Sequence, residues 1–171
     1  AAIAAIGEAM ANDPAVAAAV PGVHLEGPWI SPVDGPRGAH PAEHVRAASR
    51  AELDTFLRAG VPVAIVTLAP EVAGAIEVVR AASEAGVVVA IGHSAAEPDA
   101  VRAAVDAGAR LSTHLGNGVA GVLPRHPNLI WTQLGDDRLT ASFIADGHHI
   151  DPATLATMVR AKGADRTILV S

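Results

Sequence analysis

The sequence predicts an α/β fold, an incomplete (β/α)8 or TIM-type barrel of about six consecutive βα units. Three observations lead to this prediction. Apolar β-branched runs alternate with helical patterns, hairpin turns are missing between the runs, and the last run ends the 171 residues. Strands that alternate with helices form parallel sheets, because parallel neighbours need a crossover. A complete barrel takes about 250 residues, so we expect residues 1–171 to be one partial barrel domain, an internal piece without the first strands.

The first part of the chain contains short elements around a long loop. A helical pattern over 1–10 ends before Asp13-Pro14, and a short buried strand near residues 23–25 ends at Glu26. Residues 27–42 are rich in Pro and Gly and predict an irregular loop of the functional kind. A helix is predicted over 50–59, with Ser49 as N-cap and Glu52 as its partner in a capping box.

The rest of the chain alternates regularly between strand and helix. Strands are predicted over 63–68, 87–91, 110–113, 139–145 and 167–171. Helices are predicted over 71–85, 97–107, 129–134 and 152–162. Gly108 and Gly163 are the expected C-terminal stops of two of these helices.

Composition excludes several classes of function. With 12 Lys and Arg against 18 Asp and Glu, the net charge is -6, and no basic cluster is present that could bind a nucleic-acid backbone. No stretch approaches the roughly 20 apolar residues of a membrane helix. The chain has no Cys, which excludes disulfides and thiolate metal sites. We therefore expect a cytoplasmic protein without nucleic-acid or membrane partners, in which any metal is held by His and carboxylate groups.

Polar residues follow four of the six predicted strands. Glu26 ends the first strand, His93 and His114 follow the third and fourth, and a loop carrying His149 follows the fifth. A single such His is most often a hydrogen-bonded structural group. The carboxyl ends of parallel strands open on one face, however, so these groups are expected to meet there. The pattern predicts a metal site formed by Glu26, His93 and His114.

Imidazole and carboxylate ligands suit Zn²⁺, which we favour, as well as Fe, Co, Ni or Mn. Three protein ligands leave a position for water, and a metal-bound water ionises near neutral pH, so hydrolysis is the expected reaction class. His149 is interpreted as a catalytic group that polarises a substrate carbonyl. The alternative for His149 is a hydrogen bond within its own loop.

A glycine motif after the fourth strand permits another interpretation. Residues 116–121 match G-x-G-x-x-G, with Asp136 at a distance suited to a ribose contact. Pro124 and Pro127 interrupt the helix that a dinucleotide site would need at this point. The glycines are better interpreted as allowing close approach to a ligand. Arg125 is either a contact for an anionic substrate group or a solvated loop residue.

Several separated motifs resemble the amidohydrolase superfamily and, within it, the N-acetylglucosamine-6-phosphate deacetylases. They are GVHLEGPW at 22–29, RGAH at 37–40, IGHS at 91–94, STHLGN at 112–117, IADGHH at 144–149 and TILVS at 167–171. The resemblance implies metal ligands at Glu26, His93 and His114. It implies substrate contacts at Ala39, His40, Asn117, Gly118, Arg125 and His149. It also implies a homodimer, with the Arg125 equivalent often reaching a phosphate in the neighbouring subunit.

The activity implied by this resemblance is metal-dependent hydrolysis of N-acetylglucosamine-6-phosphate to glucosamine-6-phosphate and acetate. The family's catalytic Asp is expected directly after Ser171, and the small β-sandwich domain of the family lies outside the sequence. We therefore expect the 171 residues alone to be inactive. Two alternatives are an amidohydrolase acting on an unphosphorylated N-acyl substrate and an inert βα module that binds a metal or ligand. The sequence also differs from the family's usual pattern around Asn117.

Overall fold

The computed structural model describes residues 2–171 and contains one sheet of six parallel strands in sequence order. The strands are β1 (Val23–Glu26), β2 (Val63–Leu68), β3 (Val88–Ile91), β4 (Leu111–Ser112), β5 (Thr140–Ile144) and β6 (Thr167–Val170). The helices are α1 (Ala2–Asn12), α2 (Pro14–Ala19), α3 (Arg50–Leu57), α4 (Ala75–Glu84), α5 (Pro98–Ala107), α6 (Leu129–Gly135) and α7 (Pro152–Lys162). Two 3-10 turns cover Ala42–His44 and Ala164–Arg166.

The sheet is curled. His24 of β1 and Ile168 of β6, at opposite ends of the strand order, line the same cavity of about 280 Å³. Residues from β2, β4 and β5 line it too. A flat sheet would hold β1 and β6 far apart, so the six strands form the wall of a partial barrel. The predicted fold class is thereby confirmed.

Apolar side chains fill the space between the outer face of the sheet and the helices. One cluster joins β2 and β3 to α3, α4 and α5, with Val66 and Val89 completely buried at its centre. A second cluster joins β5 to α6 and α7 around Phe143. The opposite side of each strand faces the barrel interior. Because side chains alternate along a strand, Leu25 packs into the first cluster while His24 and Glu26 point inward.

The element boundaries agree with the sequence predictions in most places. Ser49 accepts a hydrogen bond from the Glu52 backbone N–H at the start of α3, and Gly108 and Gly163 follow α5 and α7. The helix predicted from 71 begins only at Ala75. Residues 70–74 form a turn instead, which ends at Gly74 in the left-handed region (φ +79°). Residue 1 of the predicted first helix lies outside the described residues. Among residues 2–171, no helix is long and apolar enough to span a membrane.

Candidate metal centre

Three imidazoles converge on one oxygen of Glu26. Oε1 of this carboxylate lies 2.7 Å from Nε2 of His93, 3.1 Å from Nε2 of His40 and 3.6 Å from Nε2 of His114. The contacts with His114, His93 and His40 hold the pKa of Glu26 far below its usual range, against the opposing effect of burial. The carboxylate is therefore ionised. The structure thus brings together the three residues predicted as metal ligands and adds His40 to them.

The imidazole of His93 is fixed on every side. Its Nδ1 donates to the carbonyl of Pro36 at 3.0 Å. A methyl group added at Gly38 would lie 3.1 Å from His93 Cε1, and one added at Gly118 would lie 2.9 Å from Nδ1. The backbones of two separate loops therefore pack directly against the ring. Glycine is required at both places, since any other side chain would displace the imidazole.

The hydrogen bond to Pro36 also determines which nitrogen of the neutral His93 ring carries the proton. A carbonyl only accepts, so Nδ1 carries the proton, and in the neutral ring Nε2 presents a lone pair. That lone pair faces the Glu26 carboxylate at 2.7 Å, an arrangement that requires a cation between or beside them, either a proton or a metal ion. Metal-bound imidazoles characteristically donate their other N–H in this way. The residues therefore fit a divalent metal ion.

Two residues of this cluster have unusual backbone conformations. Among residues 2–171, His93 (φ +50°) and His114 (φ +30°) are the two non-glycine residues with positive φ. Such conformations cost about 1–3 kcal/mol each and concentrate at functional sites. Both residues lie two positions beyond the end of a strand, and the left-handed conformation turns the chain away from the strand where each imidazole approaches Glu26. Hydrogen bonds around His93 and His114 must therefore stabilise these two backbone conformations.

A chain of hydrogen-bonded side chains, the polar ladder of His24, Thr67 and Thr113, crosses the barrel next to the cluster. Nε2 of His24 lies 2.7 Å from the Thr67 hydroxyl, which lies 2.6 Å from the Thr113 hydroxyl. Burial lowers the pKa of His24, although Glu26 acts in the opposite direction. Gly92 lies between the two threonines, since a methyl group there would come within 2.9 Å of both side chains. The ladder links β1 and β2 to the end of β4 just below the candidate ligands.

The loop after Glu26 is fastened to its neighbours at several points. Trp29 is completely buried, its carbonyl accepts from the Ala69 N–H at 2.9 Å, and its indole N–H donates to Glu52 at 2.8 Å. Ser31 N–H donates to the His93 carbonyl at 2.9 Å. Arg46 pairs with Glu52. The loop predicted to be irregular is therefore a fixed wall of the site.

The residues that the resemblance implies as substrate contacts lie in different places. Ala39 is exposed, and His40 beside it reaches Glu26. The carbonyl of His40 accepts from Arg37 at 2.9 Å, which holds this part of the loop. Asn117 follows His114, and its side-chain Nδ2 is buried without a hydrogen-bond partner among the described residues. This buried donor is available for a hydrogen bond.

Arg125 and His149 lie on separate exposed loops. Arg125 forms no ion pair with any described residue. Nδ1 of His149 lies 2.7 Å from Asp146 Oδ2, and the same carboxylate accepts from the backbone N–H groups of His148 and His149. These bonds, first of all the one from the His149 backbone, lower the pKa of Asp146. The hydrogen bond within its own loop, the alternative role for His149, is therefore present.

Some contributors to the site could not be identified in the sequence. Pro36 acts through its backbone carbonyl, which carries no residue signature. Ser142 of β5 accepts a hydrogen bond from the His114 backbone N–H at 2.8 Å. Its only sequence signal is a polar residue between two apolar ones on a predicted strand. Asp146 lies in the IADGHH motif, but its contact with His149 follows only from the geometry of the turn.

The fold and the site define a class of protein, a partial (β/α)8 barrel with a cluster of His and Glu at the carboxyl ends of its strands. Comparisons with known proteins identify relatives within this class, although no family model matches the chain. The chain is 41% identical over 140 residues to the N-acetylgalactosamine-6-phosphate deacetylase of Escherichia coli. It is 41% identical over 153 residues to the human N-acetylglucosamine-6-phosphate deacetylase.

A solved structure agrees with these relatives. A variant of the N-acetyl-D-glucosamine-6-phosphate deacetylase from Mycobacterium smegmatis, in complex with N-acetyl-D-glucosamine-6-phosphate, superposes with a TM-score of 0.87 at 35% identity over 97% of this chain and 43% of that chain. The resemblance to these deacetylases is confirmed. The chain spans 37% of the length of each of these two curated relatives. The two alignments include 81% and 84% of the residues of this chain.

Proposed function

We propose that the protein containing this chain is a metal-dependent deacetylase. It hydrolyses the N-acetyl amide of N-acetylglucosamine-6-phosphate to glucosamine-6-phosphate and acetate. The observation that carries this proposal is the convergence of three imidazoles on Glu26, with His93 Nε2 2.7 Å from its Oε1. The names of the relatives indicate the substrate class.

Glu26, His93 and His114 would hold the metal ion, and Zn²⁺ suits this set of ligands best. A metal ion bound there supplies hydroxide near neutral pH and polarises the amide carbonyl. The chain's own contribution is rigidity. Pro36 and the two glycine backbones fix the His93 ring, while the ladder beneath fixes the strands that carry Glu26 and His114.

His149 is the proposed catalytic group beside the scissile amide. Its Nδ1 proton is held by Asp146, so Nε2 faces away from that carboxylate. In the neutral imidazole Nε2 accepts a proton, and in the imidazolium form it donates a hydrogen bond to a carbonyl oxygen. Only the protonated form can therefore perform the predicted polarisation.

The remaining contacts are proposed to bind the sugar phosphate. His40 reaches Glu26, and the Gly118 backbone packs against the His93 ring. Ala39 lies next to His40 in the chain, and the unpartnered Asn117 amide is proposed as a donor to a substrate hydroxyl or carbonyl. Arg125 would bind the phosphate, in keeping with a homodimer in which this loop reaches the neighbouring subunit. A cytoplasmic location suits an enzyme acting on a phosphorylated sugar.

The galactosamine epimer is a second candidate substrate. It is favoured by two curated relatives, from Escherichia coli and a Shewanella species, which are N-acetylgalactosamine-6-phosphate deacetylases. The two sugars differ only in the configuration of one hydroxyl group, so the metal centre and the acetyl chemistry would be the same for both.

Activity and metal content of the protein expressed from the complete gene test the proposal. We expect release of acetate from N-acetylglucosamine-6-phosphate, with the galactosamine epimer and free N-acetylglucosamine as comparison substrates. His93→Ala and His114→Ala should lose both metal and activity, while Glu77→Gln, an exposed change on α4, should keep both. Full metal content in the His variants would overturn the metal assignment. Metal binding without turnover of any of the three substrates would favour an inert module.

A further inference from the structure

We propose that Ser142 is a positioning residue for the metal centre. It holds the backbone of His114 in the left-handed conformation that directs the imidazole to Glu26. The inference rests on the proposed function, in which His114 is a metal ligand. Ser142 lies in the middle of β5, on the side that faces the barrel interior, and lines the same cavity as Glu26 and His114.

Three hydrogen bonds connect Ser142 to the segment around His114. Its hydroxyl accepts from the His114 N–H at 2.8 Å and donates to the Ser112 carbonyl at 3.2 Å. Its own carbonyl accepts from the Leu115 N–H at 2.8 Å. One residue therefore bonds to the backbone before, at and after the strained position.

The Ser142 hydroxyl bonds to the backbone just beyond the paired part of the sheet. The paired part of β4 and β5 ends with Ser112 opposite Ala141. The His114 N–H therefore has no regular hydrogen bond between strands. Its φ of +30° is disfavoured for any residue with a side chain. The bond from the Ser142 hydroxyl supplies the missing partner for the turned N–H. Removing that hydroxyl should free His114 to relax toward an ordinary conformation with its imidazole away from Glu26.

Ser112 offers a matched control on the neighbouring strand. Its side chain is completely buried, and its hydroxyl has no hydrogen-bond partner among residues 2–171. Ser112→Ala therefore removes a serine hydroxyl from the neighbouring strand without removing a hydrogen bond. Ser142→Thr retains the hydroxyl and adds a β-branched side chain, which strands tolerate well. It should restore what Ser142→Ala loses.

The experiment compares these three variants with the parent, all expressed from the complete gene. After removal of metal, Co²⁺ is titrated and followed by its visible absorption, and amide hydrogen exchange of the segment around His114 is measured without metal. We expect Ser142→Ala to weaken Co²⁺ binding by roughly tenfold or more, in the range found when a group supporting a metal ligand is removed. Exchange at His114 should become faster in this variant. Ser142→Thr and Ser112→Ala should match the parent in both measurements.

The outcomes separate this inference from the proposed function. A folded Ser142→Ala variant with parental Co²⁺ affinity and parental exchange would overturn the role of Ser142. Equal losses in Ser112→Ala would show a general packing effect and would overturn it too. If the parent itself binds no Co²⁺, the proposed function fails, and the role of Ser142 at the metal centre fails with it. If the parent binds Co²⁺ but does not deacetylate, the affinity comparison still decides the role of Ser142.

Discussion

Trp29 and Glu52 connect the candidate metal centre to the outer helices. The indole N–H of Trp29 donates to the Glu52 carboxylate at 2.8 Å, and that carboxylate also pairs with Arg46. Trp29 lies three residues after Glu26 on the loop that forms one wall of the site. The carboxylate of Glu52, in the first turn of α3, therefore holds the loop that follows a candidate metal ligand.

Glu52→Gln should destabilise the protein by about 1 kcal/mol near neutral pH, the scale of a partly exposed charged pair. The hydrogen bond from Arg46 lowers the pKa of Glu52 in the folded state. Its contribution is therefore complete above the pKa of the unfolded chain, about 4.3, and is lost as the pH falls through the lower folded value. Urea unfolding at pH 7 and at pH 3 measures the difference, which should shrink at pH 3.

The control for this prediction is Asp54→Asn on the same helix. Asp54 pairs with Arg50 at the surface, and loss of such a pair should change the free energy of unfolding by less than about 0.5 kcal/mol. A variant Glu52→Gln as stable as the parent at pH 7 would show that the contact does not hold the loop.

Gly118→Ala should disrupt metal binding without removing a ligand. The added methyl group would lie 2.9 Å from His93 Nδ1, and the φ of +58° at this position is unfavourable for alanine. The imidazole must shift, so we expect at least a tenfold loss of Co²⁺ affinity. Gly121→Ala in the same loop has open space around it and should bind Co²⁺ like the parent. Similar affinities in the two variants would contradict the proposed contact.

His40→Ala should raise KM for the sugar phosphate and leave the metal content unchanged. Its Nε2 lies 3.1 Å from Glu26, but the proposed ligand set remains complete without it. The predicted role of His40 is contact with the substrate. Metal analysis and steady-state kinetics measure the two effects separately. A loss of metal equal to that in His93→Ala would instead make His40 a ligand.

Much of the fold could be predicted because it depends on local pattern. The strand over 63–68 and the helix over 152–162 match the structure residue for residue, since each has a clear period and a clear stop. The helix predicted from 71 starts later, because residues 70–74 form a turn fastened by the Ala48 N–H to the Ala73 carbonyl at 2.8 Å. That contact joins distant parts of the chain, so no local pattern indicates it.

The candidate site, like the fold, could be predicted only where it depends on local pattern and topology. Strand ends indicated that Glu26, His93 and His114 would share a face, since that follows from parallel topology alone. The contacts of Gly38, Gly118 and the Pro36 carbonyl with His93 depend on how two loops fold over the ring. Glycine and proline in a loop have many local uses, so their presence could not indicate that contact.

Lys162→Met should destabilise the protein by roughly 2–3 kcal/mol. The Lys162 side chain is buried, and its Nζ donates to the carbonyls of Gln133 at 2.9 Å and Asp136 at 2.7 Å near the end of α6. Methionine fills the space but removes both hydrogen bonds. The Asp136 carbonyl keeps its bond from the Leu139 N–H at 3.1 Å, while the Gln133 carbonyl loses this donor, at a cost of about 1–3 kcal/mol for an unsatisfied buried group. Urea unfolding measures the change. Arg160→Met, an exposed change on the same helix, should have little effect, and equal losses in both would contradict this role.

Arg125→Ala and His149→Ala should change different kinetic constants. Arg125 lies on an exposed loop with no ion pair among the described residues, free to meet a phosphate far from the scissile amide. Its loss should raise KM for the phosphorylated sugar and hardly change KM for free N-acetylglucosamine, because such a contact contributes binding.

His149, held through Nδ1 by Asp146, should act on the carbonyl in the transition state. His149→Ala should therefore lower kcat by about 10²–10⁴-fold for both sugars. Arg125→Lys should recover only part of the binding, because an ammonium cannot form the bidentate contact. Steady-state kinetics on both sugars checks the split, and equal losses on both after Arg125→Ala would show that this residue does not bind the phosphate.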